Sequence, residues 1–285
     1  MLLRIFFNLS LLFFNFALFA QQSYIDYRSP FHPTVTKSGM VVSQNIDSSN
    51  IGIEILDMGG NAIDAAVAVG FSLAITLPRA GNLGGGGFLL VYIKEKDEIV
   101  SIDYRGASSL NADLFKIFQK KLPEQYNEID RDLVRYGYQA STTPGTVAGL
   151  LEAHKLYGRL PLKDVLAPVI KQANEGIIVS YDLHNAIRSA PQLLEDSESK
   201  RIYFSDGEAL KINSLMKRPD LAKTISLIAD QGLEGFYAGE VATLISKAMK
   251  NNQGFIDLND LSSYKPNIQK PISTKYRGNT IFTQG

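Results

Sequence analysis

Asn61-Ala62-Ile63-Asp64-Ala65-Ala66-Val67-Ala68-Val69-Gly70-Phe71-Ser72-Leu73-Ala74-Ile75-Thr76-Leu77-Pro78, continuing as Arg79-Ala80-Gly81-Asn82-Leu83-Gly84-Gly85-Gly86-Gly87-Phe88, decides how the rest of the chain is arranged. Its first half predicts a helix that is apolar on nearly every face, capped by Asn61 and broken by Pro78. From Ala62 to Leu77 it falls short of the ~20 apolar residues that cross a bilayer, so it reads as the buried helix of a core. Four glycines in a row before an apolar strand mark a place where backbone approaches backbone, or a ligand, and no side chain fits.

Composition sets the outer bounds. The chain has 285 residues, 45% of them hydrophobic, which suffices for one large domain or two small ones with a sizeable core. Its 29 basic and 29 acidic side chains balance, which argues against a nucleic-acid surface and its clustered positive excess. Without cysteine, structural disulfides, iron–sulfur clusters and thiolate metal sites are excluded. His32, His154 and His184 lie far apart and show no metal-ligand spacing, so neither metal nor cofactor is expected.

Residues 1–20 are expected to lie outside the fold. A weakly basic Met1 to Arg4 leads into an apolar run from Ile5 to Phe19, and Ala20 offers a small residue at a cleavage site. An uncleaved anchor is the other reading of this run, but Asn8, Ser10 and Asn15 interrupt it. A secretory signal fits better, and export without disulfides suits a bacterial periplasm or secretion. Residues 21–285 are then expected to form one continuous domain, beginning with a polar arm over 21–38.

A short strand is expected at Met40 to Ser43, then a helix opened by Ser48-Ser49-Asn50 and stopped by Gly59-Gly60. After the glycines, Phe88 to Ile93 and Glu98 to Tyr104 read as a hairpin around the charged Lys94 to Asp97 link. Arg105 then stands at the end of a strand. Residues 106–142 are the least patterned, with tyrosines that read as surface and packing residues. From Thr143 onward helices dominate: one capped by Thr146, one from Leu162 with a kink expected at Pro168, and one opened by Pro219. Another runs around Val241 to Met249, and Asp257 to Leu261 starts a short helical turn. Lys270 to Phe282 reads as strand.

Several chemistries drop out on inspection. No nucleophile elbow is present, and no cysteine for a Cys-His pair. The glycine run is followed by Phe88-Leu89-Leu90 instead of Lys-Ser/Thr, and it precedes a strand instead of a helix, so it is neither a phosphate loop nor a dinucleotide loop. Asp64 reads as a cap or a core hydrogen-bonding group, and His154 as a satisfied core histidine.

Taken together, Gly59-Gly60-Asn61-Ala62-Ile63-Asp64-Ala65-Ala66-Val67-Ala68, Gly81-Asn82-Leu83-Gly84-Gly85-Gly86-Gly87-Phe88, Asp103-Tyr104-Arg105 and Thr143-Pro144-Gly145-Thr146-Val147-Ala148-Gly149 resemble the γ-glutamyltransferases, members of the N-terminal-nucleophile hydrolase superfamily. Tyr157-Gly158, Gly235-Phe236-Tyr237 and Tyr276-Arg277-Gly278 are further echoes. All run in family order from about Gly39 onward. The resemblance implies an α/β fold of four layers (αββα), here the incomplete N-terminal part of a large subunit with a helix-rich C-terminal half. It also implies a precursor that cuts itself into a large and a small subunit. The first residue of the small subunit is a threonine, whose free α-amine serves as base for its own hydroxyl. That threonine attacks the γ-glutamyl amide of glutathione or a related compound. The resulting acyl-enzyme is taken by water or by an amino-acid or peptide acceptor.

Two departures from the family pattern follow. The small-subunit threonine motif has no match in these 285 residues; Thr143 and Thr146 belong to a large-subunit motif, so no catalytic residue is assigned and a missing small subunit is the expected partner. Where the family usually has Asp-Phe-Arg-Glu, this chain has Asp103-Tyr104-Arg105-Gly106. Arg105 matches the arginine that grips the α-carboxylate of the γ-glutamyl group, a task suited to the paired donors of a guanidinium. Two other readings stay open: an inactive fragment of such an enzyme, and a related acylase of the same superfamily.

Overall fold

The computed structural model describes residues 34–112 and 136–284, which divide into the unit Met1–Gly39 and the larger unit Met40–Gly285. Expectations for residues 1–33 and 113–135, the proposed signal among them, lie outside the described residues. In the first unit, Thr36 Oγ1 donates to the Gly39 carbonyl at 2.6 Å.

The quoted stretch forms helix α2, Ala62–Thr76, preceded by α1, Ile46–Asp57. Asn61 caps α2: its side chain accepts from the Ile63 and Asp64 amides, and Asp64 returns a bond to the Asn61 amide. Phe71, Ile75, Val67 and Ala68 are almost fully buried, as an all-round apolar helix requires. Around it pack α1, α3 (Thr146–Tyr157) and α4 (Leu162–Glu175), with α5 (Pro219–Gln231) against α4. Pro168 sits inside α4 without dividing it.

Local chemistry shifts three expected boundaries. Met40 to Ser43 is not a strand. Helix α1 starts earlier than Ser48, because Asn45 accepts from Asp47 and Ser48 amides and takes the cap. The serines turn inward instead: Ser48 Oγ lies 2.8 Å from both Ser72 Oγ and Thr76 Oγ1, and Ser72 Oγ donates to Gln172 Oε1 at 2.7 Å. This hydroxyl seam satisfies polar groups where α1, α2 and α4 meet. Thr146 is the first residue of α3 and not its cap, which is Gly145 without a side-chain bond.

Strands β1 (Phe88–Ile93) and β2 (Glu98–Asp103) pair antiparallel, Phe88 opposite Asp103 and Ile93 opposite Glu98. Their link turns through left-handed Asp97. Two short helices, α6 (Gly239–Asn251) and α7 (Leu258–Ser263), precede β3 (Asn267–Gln269), which pairs with the free edge of β2. One sheet face carries Leu89, Ile93, Val100 and Ile102 onto Ile63, Ala153 and Tyr157 of the helices. The opposite face leaves Phe88, Leu90 and Tyr92 exposed. The final stretch, expected as one strand, is a hairpin of β4 (Ile272–Tyr276) and β5 (Asn279–Thr283), reversed at Arg277 and Gly278 with positive φ at both.

Candidate substrate-carboxylate site

Three stretches separated in sequence meet at the end of the β1–β2 pair. Pairing continues one step past Phe88 and Asp103: the Tyr104 amide donates to Gly87 O at 2.9 Å, and the Gly87 amide to Tyr104 O at 3.3 Å. Gly85 O accepts from the Gly145 and Thr146 amides at 2.7 and 3.0 Å, so the glycine loop supplies the cap that α3 lacks from side chains. Ala107 and Thr143 exchange amide–carbonyl bonds of 2.7 and 3.3 Å.

At Gly86 and Gly87 nothing larger fits, whereas a Cβ on Gly84 would meet only Asn82 at an ordinary 3.6 Å. A Cβ on Gly86 would lie 2.6 Å from both Gly106 N and Tyr104 O, and 2.8 Å from Arg105 Cα. The ring of Tyr104 fills the space that a Cβ on Gly149 would need, while its far edge lies against Gly87. Burial pushes the Tyr104 phenol above its ordinary pKa, which keeps it neutral.

Arg105 stands at the rim of this junction and is exposed. Its amide is held by Asp103 Oδ1 at 3.0 Å, and its carbonyl accepts from the Tyr264 hydroxyl at 2.7 Å. The guanidinium carbon lies 5.6 Å from the Phe88 ring centroid. No carboxylate among the described residues pairs with it. This leaves a guanidinium with a fixed backbone and unpaired donors, as it needs to receive a carboxylate in two parallel hydrogen bonds. Gly106, where the resembled family usually has glutamate, is pressed against Thr142, whose Cβ is 2.8 Å from where a Gly106 Cβ would be. A longer side chain would have to displace Thr142.

The other flagged residues resolve into structure. Asp64 is fully buried and accepts from the Asn61 amide at 2.8 Å and the Arg159 amide at 3.0 Å, with His154 Nε2 at 3.6 Å. His154 Nε2 also bonds Leu160 O at 2.9 Å. Thr143 is buried with both backbone groups paired. Of the tyrosines between 126 and 138, Tyr136 is exposed and Tyr138 donates to Asp196 Oδ1 at 3.3 Å. Among the described residues no group of three His, Cys, Asp or Glu is placed to hold a metal.

Two more tyrosines build this region: Tyr264, which the sequence pattern does not mark, and Tyr237, marked only within the Gly235-Phe236-Tyr237 echo. Tyr264 follows α7, and its ring stacks on Tyr237 with centroids 6.1 Å apart and planes 8° apart. The Tyr237 hydroxyl donates to Pro144 O at 2.8 Å and accepts from the Ala148 amide at 3.1 Å. Burial pushes both phenols up, Tyr264 to about 12 with help from the Asp103 charge. Each therefore stays a donor at neutral pH.

Comparison with known proteins fits this geometry. The gamma-glutamyltranspeptidase family model matches residues 48–285. The glutathione hydrolase proenzyme of Escherichia coli (strain K12) is 40% identical over 257 residues, spanning 89% of this chain and 43% of that protein. The chain thus spans less than half the length of this curated relative. The crystal structure of Helicobacter pylori gamma-glutamyltranspeptidase superposes with a TM-score of 0.83 at 38% identity, covering 89% of this chain and 72% of that one. A cephalosporin acylase from Bacillus halodurans superposes with a TM-score of 0.79 at 28% identity, covering 92% and 49%. The helices and the half-covered sheet accordingly belong to an N-terminal-nucleophile hydrolase fold, and the chain belongs to the gamma-glutamyltranspeptidase family.

Proposed function

We propose that this chain is the substrate-binding part of a γ-glutamyltransferase and glutathione hydrolase that works outside the cytoplasm, after removal of residues 1–20. The observation that carries the reading is the Arg105 guanidinium: its backbone is fixed at both the amide and the carbonyl, and no carboxylate among the described residues pairs with it. In this reading it holds the α-carboxylate of a γ-glutamyl substrate and aims the γ-amide toward the nucleophile.

The nucleophile is a threonine of a further segment, freed by cleavage of a precursor. Its hydroxyl adds to the γ-carbonyl while its own α-amine takes the proton. The leaving amine departs with that proton, and an ester to the enzyme remains. Water or the amine of an amino acid or peptide then displaces the threonine oxygen. The exposed face of Phe88, Leu90 and Tyr92 supports a second sheet layer lying against this one in the whole protein. The likeness to acylases favours a second reading, hydrolysis of other amides, against which the free Arg105 argues.

The test uses γ-glutamyl-p-nitroanilide, with and without a dipeptide acceptor. The full-length protein containing this chain should release nitroaniline, and residues 21–285 alone should not. Turnover by residues 21–285 alone would contradict the placement of the nucleophile elsewhere. Absence of turnover by the processed full-length protein would remove the activity itself.

A further inference from the structure

We propose that α7 is a positioning element for Arg105, acting through Tyr264 at the arginine's own carbonyl and through Asp260 at the far end of the segment that follows it. The inference rests on the reading that Arg105 binds the substrate carboxylate.

The sheet holds Arg105 at its amide alone, through Asp103 Oδ1 at 3.0 Å. Register between β2 and β3 ends at Asp103 opposite Asn267, and the last β1-side pairing is at Tyr104. Beyond this, residues 105–110 have no regular structure apart from the Ala107–Thr143 bridge. Besides that bridge, their path is fixed by Asp260 of α7 and by Tyr264, which follows it, some 150 residues later in the chain. The Tyr264 hydroxyl donates to Arg105 O at 2.7 Å, and no other described group donates to that carbonyl. At the far end, Asp260 Oδ1 accepts from the Leu110 amide at 2.8 Å and Oδ2 from Ser109 Oγ at 2.6 Å.

Helix α7 is itself made rigid. Asp257 and Asp260 form a reciprocal capping box, in which Asp257 accepts from the Asn259 and Asp260 amides and Asp260 accepts from the Asp257 amide. Asp260 is 4% exposed and Leu261 is fully buried, so the short helix has one seat. The stack of Tyr264 on Tyr237 then ties this seat to the loop before α3, because Tyr237 holds Pro144 O and the Ala148 amide. Gly145, with no side chain, leaves the room in which the Tyr264 hydroxyl sits. A guanidinium must meet both carboxylate oxygens in one plane, so a backbone shift of about an ångström at Arg105 is enough to cost one of the two bonds.

Tyr264→Phe keeps the stack and removes only the hydroxyl; Asp260→Asn keeps an acceptor for Leu110 but sets an NH2 where Ser109 Oγ and the Asp257 amide donate, loosening both the tether and the capping box. In the full-length processed protein, each is expected to raise KM for γ-glutamyl-p-nitroanilide, Tyr264→Phe by on the order of tenfold, with kcat within about threefold. In an Arg105→Ala background the same changes should add nothing, because the element acts through the arginine. Unchanged KM in both single variants, or losses that add fully to Arg105→Ala, would overturn the positioning role. If Arg105→Ala itself leaves kcat/KM unchanged, it is the carboxylate-site reading that fails, and the two failures are told apart. Should Tyr264→Phe not accumulate as folded protein, Asp260→Asn decides the matter by the same criteria.

Discussion

The Tyr104 ring occupies the space into which a Cβ on Gly149 would project. This contact locks the strand that ends at Arg105 against the first turn of α3, so the arginine inherits its position from a helix buried in the core. Glycine is required at 149 for clearance, since the ring is confined on its other edge by Gly87. Gly149→Ala is expected to destabilise the protein by about 1–3 kcal/mol, the usual range for overpacking. A lowered urea midpoint with unchanged slope would show it, whereas an unmoved midpoint would mean the ring has somewhere else to go.

Asp64 supplies a second test of the scaffold. Its carboxylate satisfies the Asn61, Arg159 and Leu160 amides from a fully buried position. Asp64→Ala leaves these donors without an acceptor, at a cost of about 1–3 kcal/mol for each one left buried and unpaired. Hydrogen exchange should quicken first in the turn over 158–160. Full stability in the alanine variant would show that water replaces the carboxylate.

Alkaline stability follows from the paired tyrosines. Tyr237, Tyr104 and Tyr264 all have phenol pKa values raised by burial above the ordinary 10.0. The unfolded chain therefore loses these protons first, and the folded protein loses stability as pH rises above about 10. Below that pH the phenols are neutral in both states and contribute no slope. Tyr237→Phe should lower stability at neutral pH, because Pro144 O and the Ala148 amide lose their partner, yet give a shallower fall above pH 10. A fall as steep as in the unaltered protein would place the titrating group elsewhere.

How much of this was legible in the sequence depends on the range of the interaction. The α2 helix, its Asn61 cap, the hairpin and the strand-end position of Arg105 all follow from local pattern, and the structure bears them out. The glycine run was readable as a close approach, though the thing approached was not. Ser48 misled because hydroxyls favour helix starts, yet here they meet hydroxyls 24 and 28 residues away. Met40 to Ser43 has strand-like residues but no partner strand among the described residues, and side-chain propensity cannot supply one. Tyr264 was invisible for a different reason: its one decisive bond reaches 159 residues back, to a backbone atom that carries no sequence information.

The central claim is that Arg105 receives the substrate carboxylate, and one comparison tests it most directly. Full-length processed protein is assayed on γ-glutamyl-p-nitroanilide and on the same compound with its α-carboxylate converted to a carboxamide. Unaltered protein should strongly prefer the free carboxylate, and Arg105→Ala should lose on the order of 10²-fold in kcat/KM for that substrate, consistent with two charge-assisted hydrogen bonds. Arg105→Lys should recover only part of the loss, since an ammonium cannot present the paired donors. On the carboxamide the three proteins should be nearly equal. A preference for the free carboxylate that survives in Arg105→Ala would contradict the account.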